Sequence, residues 1–138
     1  MATLIEKTQV ARDHFLLRIQ SDCSANPGQF INLRVGTTFD PLLRRPFSVH
    51  DFSDGMLEII VRVVGRGTAW LRDHAMPGDI NILPPMGNGF QVIERGRALL
   101  VGGGVGNAPL YYLAKELKRH HVSVEYIYGA QSAQHVFL

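Results

Sequence analysis

The sequence predicts two lobes of different grammar, a β plus α/β fold class. A small six-stranded antiparallel Greek-key barrel occupies residues 1–96, and the opening β-α-β unit of an α/β domain occupies 97–138. Three observations carry that expectation. Short stretches of alternating apolar and polar residues recur through the first lobe, the period of half-buried strands. Turn signals separate them at Pro27-Gly28, Ser53-Asp54-Gly55 and Pro77-Gly78. After Arg95-Gly96 the alternation gives way to Ala98-Leu99-Leu100-Val101, a continuous apolar run of the kind covered on both faces in a parallel sheet.

Residues 3–10 and 13–19 read as a hairpin turned at Ala11-Arg12-Asp13. Pro27-Gly28 leads into a third strand over 29–35, and 36–41 is a loop. Residues 45–50 form a fourth strand, in which Pro46, lacking a donor, belongs near the strand start or on an edge. The turn at 53–55 feeds a fifth strand over 56–64, dense in Ile and Val, and residues 79–83 form the sixth. Between those two, Gly65-Arg66-Gly67-Thr68 opens a short helix for which Thr68 is the expected cap. In the second lobe Leu110, Leu113, Ala114 and Leu117 recur at helical spacing, and Lys118, Arg119, His120 and His121 suit the negative end of that helix dipole. A strand over 122–128 completes the β-α-β unit.

Composition bounds the function classes. With 138 residues, 46% hydrophobic and 19% charged, the chain can bury a core. Its formal net charge of +2 is spread without a basic stripe, so no nucleic-acid footprint is visible. No apolar run approaches a bilayer span and the first residues lack the order of a signal peptide, so a cytoplasmic location is expected. Cys23, the single cysteine, excludes an internal disulfide and any iron-sulfur or zinc site held by this chain's own thiolates. It is expected as a small core residue. The six histidines show no ligand spacing, so no metal site is expected.

Arg45-Pro46-Phe47-Ser48 places a cation, a rigid turn, an aromatic face and a hydroxyl at one strand start. An isoalloxazine ring needs a flat apolar wall with donors at its polar edge, and flavin phosphates need a guanidinium fork. The same four residues also fit an ordinary strand start. The helix start at Gly67-Thr68 offers free backbone donors and a positive dipole end, which suit phosphate, although a plain helix after a glycine turn has the same sequence. Gly102, Gly103, Gly104 and Gly106 lie between an apolar strand and an amphipathic helix, where pyrophosphate binds in open α/β sheets. Their spacing, Gly-x-Gly-x-Gly-x-x-Pro, differs from the Rossmann Gly-x-Gly-x-x-Gly. His50, two residues beyond Ser48, is placed within reach of a flavin edge.

The order of these parts, with Asp40-Pro41-Leu42-Leu43-Arg44-Arg45-Pro46-Phe47-Ser48, Val63-Val64-Gly65-Arg66-Gly67-Thr68 and the turn at 102–109, resembles the electron-transfer subunits of dihydroorotate dehydrogenase, within the ferredoxin-reductase-like flavoproteins. The resemblance runs from about residue 3 to the end. It implies FAD contacts at Arg45, Pro46, Phe47 and Ser48, at Ile60, Val61 and Arg62, and at Gly67 and Thr68, with the glycines of 102–106 facing NAD. It implies an oxidoreductase of pyrimidine biosynthesis that takes hydride from NAD(P)H onto FAD. Electrons then pass through a [2Fe-2S] cluster to a partner subunit carrying FMN. Ser48 is the expected catalytic residue, a hydroxyl donor near flavin N5 and not a nucleophile. The small subunits of sulfide dehydrogenase and of NADH-dependent ferredoxin:NADP reductase share the motifs, and a flavin-binding module without turnover is the reading from another class.

Three departures stand out. Pro84 and Met86 replace an expected Gly and Leu in Pro84-Pro85-Met86-Gly87-Asn88-Gly89-Phe90, and Gln131 stands where Arg is common. The cysteine-rich cluster segment is absent, so a truncated member or a fragment is expected. Two parallel strands and one helix leave apolar surface uncovered, so residues 97–138 are expected to pack on a second copy, as a homo-oligomer, or on further chain, or else to be the least ordered part.

Overall fold

The computed structural model describes residues 1–36 and 39–138. Strands β1 (Ala2–Ala11) and β2 (His14–Ser21) form the first hairpin, in which Asp13 takes a positive φ of 57°. Strands β3 (Phe30–Leu33), β4 (Arg45–Ser53) and β5 (Met56–Arg62) follow. Asp54 and Gly55, at φ 51° and 77°, join β4 to β5. Two consecutive positive φ values match the right-handed twist of a tight hairpin, and Asp-Gly is the pair that tolerates them. The loop expected over 36–41 lies partly outside the described residues, at Thr37 and Thr38.

Helix α1 (Arg66–His74) precedes strands β6 (Gly78–Asp79) and β7 (Ile82–Met86). The sheet runs β6-β1-β2-β5-β4-β3-β7, with all neighbours antiparallel. The segment expected as one sixth strand is therefore two short strands at opposite edges. The residues between them bridge the gap: Ile80 donates its N–H to Ala2 O at 3.1 Å, and Asn81 O accepts from Arg34 N at 2.9 Å. The sheet is curled into a barrel by this link. Pro84 and Pro85 are tolerated because β7 is an edge strand, where a missing N–H costs no ladder bond.

Inside the curl, Leu17, Ile19, Ile31, Leu33, Val49, Leu57, Ile59 and Val61 meet Leu71 and Ala75 of α1. Full burial of each large aliphatic side chain contributes about 1.5–3 kcal/mol. Lys7 ties α1 to β1 by donating to Arg72 O at 2.6 Å, a cation at the carbonyl end of the helix.

The second lobe contains β8 (Arg97–Gly103), a short 3-10 turn (Gly104–Asn107), α2 (Ala108–Arg119) and β9 (Ser123–Gly129). β8 and β9 pair in parallel from Arg97↔Ser123 to Gly103↔Gly129. Leu100, Leu113, Leu117 and Val122 form their own cluster under α2. Helix α2 also has a second buried face that the sequence reading did not anticipate. Tyr112 joins the barrel core and donates its hydroxyl to Ala25 O at 3.0 Å, while Lys115 pairs with Asp51 of β4. One helix is thus shared by both lobes. A further link runs from the C-terminal segment: Arg12 N donates to Gln134 O at 2.8 Å, and Phe137 stacks on the buried His14 with ring centroids 5.2 Å apart.

The opposite face of the β8-β9 pair presents Leu99, Val101 and Ile127, exposed by 58%, 64% and 56%. These are the strand residues expected to need cover. Cys23 is half-buried in the β2–β3 connection and not within the core. Among the described residues no helix is long and apolar enough to cross a membrane.

Candidate functional site

β4, β5, the start of α1 and the 3-10 turn converge on a cleft of ≈ 420 Å³ with a mainly apolar lining. The barrel contributes Arg45, Pro46, Phe47 and Ser48 from β4, Ile60 and Arg62 from β5, and Val64 and Thr68 around the helix start. The second lobe contributes Val105, Gly106, Ala108 and Pro109. Residues far apart in sequence and singled out on chemical grounds therefore share one wall.

Strand alternation sets what each β4 residue offers. Pro46 and Ser48 are exposed, and Phe47 is half-buried, packed against the barrel core as well as lining the cleft. Arg45 donates to Leu43 O at 2.7 Å and has no carboxylate partner among the described residues. Its guanidinium lies against Gly67, where an added Cβ would sit 2.9 Å from Nε. A bare backbone at position 67 therefore lets Arg45 reach the helix start. Val61 differs from its neighbours on β5. It is fully buried in the barrel core, so only its backbone faces outward, whereas Ile60 and Arg62 present side chains to the cleft.

The helix cap is Gly65 and not Thr68. Thr68 sits one turn in, and its Oγ1 accepts from Val64 N at 2.9 Å and Gly65 N at 3.2 Å while donating to Gly65 O at 3.1 Å. The hydroxyl is spent on the turn. That leaves the backbone N–H groups of the first helical turn as the donors toward the cleft.

The glycines of the second lobe divide into two groups. Gly103, Gly104 and Gly106 have open space where a side chain would be, and Gly104 has φ +54°, so a phosphate could approach that backbone closely. Gly102 does not face such space. A Cβ there would overlap Asn107 Oδ1, because Asn107 is folded back over it and wholly buried. Asn107 Nδ2 donates to Gly104 O at 2.9 Å and Gly129 O at 3.2 Å, and Tyr126 OH donates to Oδ1 at 3.0 Å. Burial pushes the Tyr126 phenol up to about 12, so it remains a donor. Asn107 is the residue that fixes the turn, and sequence reasoning missed it. It holds the N-cap position of α2, yet its side chain makes no cap bond.

His50 does not line the cleft. Its ring is buried beneath it, stacked on Tyr111 at 4.8 Å, and Nδ1 donates to Ala108 O at 2.7 Å. Desolvation lowers its pKa, so the neutral imidazole is favoured. The imidazole thereby joins the strand carrying Ser48 to the first carbonyl of α2. No group of three or more metal-ligating side chains occurs among the described residues.

No family model matches the sequence. Curated relatives do. The chain is 35% identical over 144 residues to the dihydroorotate dehydrogenase B (NAD(+)) electron transfer subunit of Fusobacterium nucleatum, covering 98% of this chain and 55% of that protein. The protein of that name from Geobacillus thermodenitrificans is 40% identical over 98% of this chain and 56% of its own length, and that of Bacillus velezensis 47% over 80% and 45%. The chain thus spans about half the length of these relatives. Among solved structures, an NADH-dependent reduced ferredoxin-NADP oxidoreductase superposes with a TM-score of 0.87 at 33% identity, over 100% of this chain and 51% of that one. The Amycolatopsis cytochrome P450 reductase GcoB gives 0.85 at 26%, over 99% and 44%.

Proposed function

Because this chain is a homologue of the electron-transfer subunits of dihydroorotate dehydrogenase B and has the fold of the ferredoxin-reductase-like FAD/NAD proteins, we propose that it is the flavin-binding part of an FAD-dependent NAD(P)H oxidoreductase component. The observation that carries this is the shared cleft. Arg45, Ser48, Arg62 and the start of α1 face the open glycine turn across one mostly apolar space.

The residues present fit FAD. The cation of Arg45 beside the bare Gly67 backbone forms a phosphate cradle that a Cβ would fill, and the wall beside it is apolar. When bound, FAD supplies the change from two-electron exchange with a nicotinamide to one-electron delivery. The chain's own work is to bind and orient. Arg45 and the first-turn amides of α1 hold phosphate, Pro46 and Phe47 give the flat wall, and Ile60 closes it from β5. Ser48 offers a hydroxyl donor at the polar edge, and Arg62 adds a second cation. Val61 acts through backbone only. Gly103, Gly104 and Gly106 leave room for the NAD(P)H pyrophosphate, and Gly102 serves the packing of Asn107.

A [2Fe-2S] cluster does not fit the residues of this chain. Cys23 is the only thiol of the sequence, and among the described residues no group of metal-ligating side chains occurs. The cluster, and a catalytic FMN-containing partner subunit in pyrimidine biosynthesis, belong to the whole assembly in this reading, which is placed in the cytoplasm. A second reading is favoured by the 33% identity to the NADH-dependent ferredoxin-NADP oxidoreductase: the same flavin lobe serving a different electron acceptor. A sulfide dehydrogenase small subunit and a non-catalytic flavin-binding module are the remaining readings.

Anaerobic titration of the FAD-loaded protein with NADH and NADPH tests the proposal. Bleaching of the flavin bands is expected. FAD that stays oxidised with both nucleotides, yet is reduced by a chemical reductant, leaves the non-catalytic module standing instead.

A further inference from the structure

His50 is set apart from the other residues of β4 by its place in the sheet. Val49 pairs with Ile59 and Asp51 with Glu58, so β4 carries one residue more than β5 between these pairs, and His50 is the extra one. Such a bulge bends its strand and re-aims the side chain at that point. Here that side chain is a buried imidazole that meets the start of α2.

The contacts of the ring leave it one orientation. Tyr111 stacks on its face with centroids 4.8 Å apart, and Phe137 meets it edge-on at 6.5 Å. Ala108 O, which can only accept, lies 2.7 Å from Nδ1 and so assigns a ring proton to that nitrogen. Lys115, paired with Asp51, and Tyr112, bonded to Ala25 O, hold α2 further along its length. Among the described residues, the bond from His50 is the one side-chain hydrogen bond between the barrel and the first turn of α2.

Both ends of this contact border the cleft. Ser48, two residues before His50, lines it on the wall proposed for flavin. Ala108 lines it directly after the glycine turn proposed for NAD(P)H. The bond between His50 and Ala108 therefore sets the spacing of the two walls.

We propose that His50 is a positioning residue for hydride transfer, its bond to Ala108 O holding the nucleotide-binding turn at working distance from the flavin wall of β4. The proposal rests on the oxidoreductase reading above and adds to it what sets the geometry between nicotinamide and flavin. That step oxidises the dihydronicotinamide, whose C–H bond breaks, and reduces FAD, which takes up the hydrogen with both electrons. A misplacement of about 1 Å in such an arrangement costs about a hundredfold in rate. His50 does not line the cleft, so its influence is confined to the donor that the second lobe holds. Ser48 faces the flavin and affects reduction by every donor.

FAD-loaded proteins test the proposal: the unaltered chain, His50→Asn, whose amide keeps a donor, and His50→Phe and His50→Leu, which have none. Flavin reduction is followed by stopped-flow absorbance with NADH and NADPH at varied concentration, and with dithionite. His50→Phe should lower the limiting rate with the preferred nucleotide by about ten- to a hundredfold while the half-saturating concentration changes by less than about threefold. Its dithionite rate and FAD affinity should stay unchanged. His50→Leu should behave as His50→Phe does, and His50→Asn should recover most of the rate. A limiting rate unchanged in both donor-free variants would overturn the proposal, as would equal slowing with dithionite or loss of FAD, which mark a general loosening of the barrel. No recovery in His50→Asn would likewise overturn the role of the bond. If neither nucleotide reduces the FAD of the unaltered protein, the oxidoreductase reading fails and takes the proposal with it; failure in the variants alone leaves that reading intact.

Discussion

Asn107 and Gly102 should be energetically coupled, because one side chain occupies the space that the other residue leaves bare. Asn107→Ala removes two donations from Nδ2 and one acceptance from Tyr126 OH, made by a side chain that is itself wholly buried. At about 0.5–1.5 kcal/mol net per bond, the loss is about 2–4 kcal/mol, and the stranded carbonyls of Gly104 and Gly129 push it toward the upper end. Gly102→Ala forces a methyl into Asn107 Oδ1 and to 2.8 Å from Leu110 Cδ1, an overpacking cost of about 1–3 kcal/mol. In the double variant the amide no longer obstructs the methyl, so part of the second cost disappears. Urea denaturation of the four proteins should give a coupling of at least about 1 kcal/mol, with the double variant more stable than the sum predicts. Additivity within about 0.5 kcal/mol would refute the claim that Gly102 is bare for the sake of Asn107. The single variant Asn107→Ala should also speed amide exchange at residues 103–108 while leaving the barrel unchanged.

Other expectations follow from the site. Arg45→Ala should weaken FAD about ten- to a hundredfold by fluorescence titration, the cost of losing a charge-assisted contact. Unchanged affinity would remove Arg45 from the phosphate cradle. Ser48→Ala should slow flavin reduction by any donor while FAD remains bound, whereas a variant that loses flavin but reduces normally when saturated would deny Ser48 that role. His50 has a folded-state pKa lowered from 6.5 by burial, opposed by its hydrogen bond to Ala108 O and then by Glu58 and Asp51, and aided by Lys115. The unfolded chain therefore takes up the proton first, and stability should fall as pH drops below about 6.5, levelling off under the folded-state value. His50→Asn should flatten that limb in pH-dependent melting, and an unchanged slope would show that another group causes it. Amides on the exposed face of the β8-β9 pair should exchange faster than those of β2 and β5. Uniform strong protection in a demonstrably monomeric protein would contradict an incompletely covered sheet.

Much of the barrel was legible because one-faced burial writes a period of two into each strand, as in β2, where Leu17 and Ile19 are buried and Gln20 is exposed. The residues that line the cleft proposed for flavin were legible for a related reason: Arg45 to Ser48 and the glycine run sit at strand ends, where turn residues mark the backbone. Less visible were features that depend on two lobes meeting. Tyr112 lies off the Leu110-Leu113-Leu117 stripe, so a single-face reading of α2 leaves it in solvent, yet the helix packs on both sides. Thr68 looked like a cap because threonine usually caps, but Gly65 takes that place and the hydroxyl folds back onto it. The sixth strand split because its two ends pair with opposite edges of the curled sheet, a constraint of topology with no local signal. His50 follows the same logic. Two residues from Ser48 it points to the flavin in a flat strand reading, whereas the structure turns it to Ala108 of the other lobe.

The central claim is that the cleft between β4, β5 and α1 holds FAD. Its most direct measurement is the visible absorption spectrum of protein purified without added cofactor, followed by release and identification of any chromophore. A flavin spectrum whose released cofactor is FAD is the expected result. Colourless protein that takes up neither FAD nor FMN on reconstitution, with its fold intact by circular dichroism, would contradict the account.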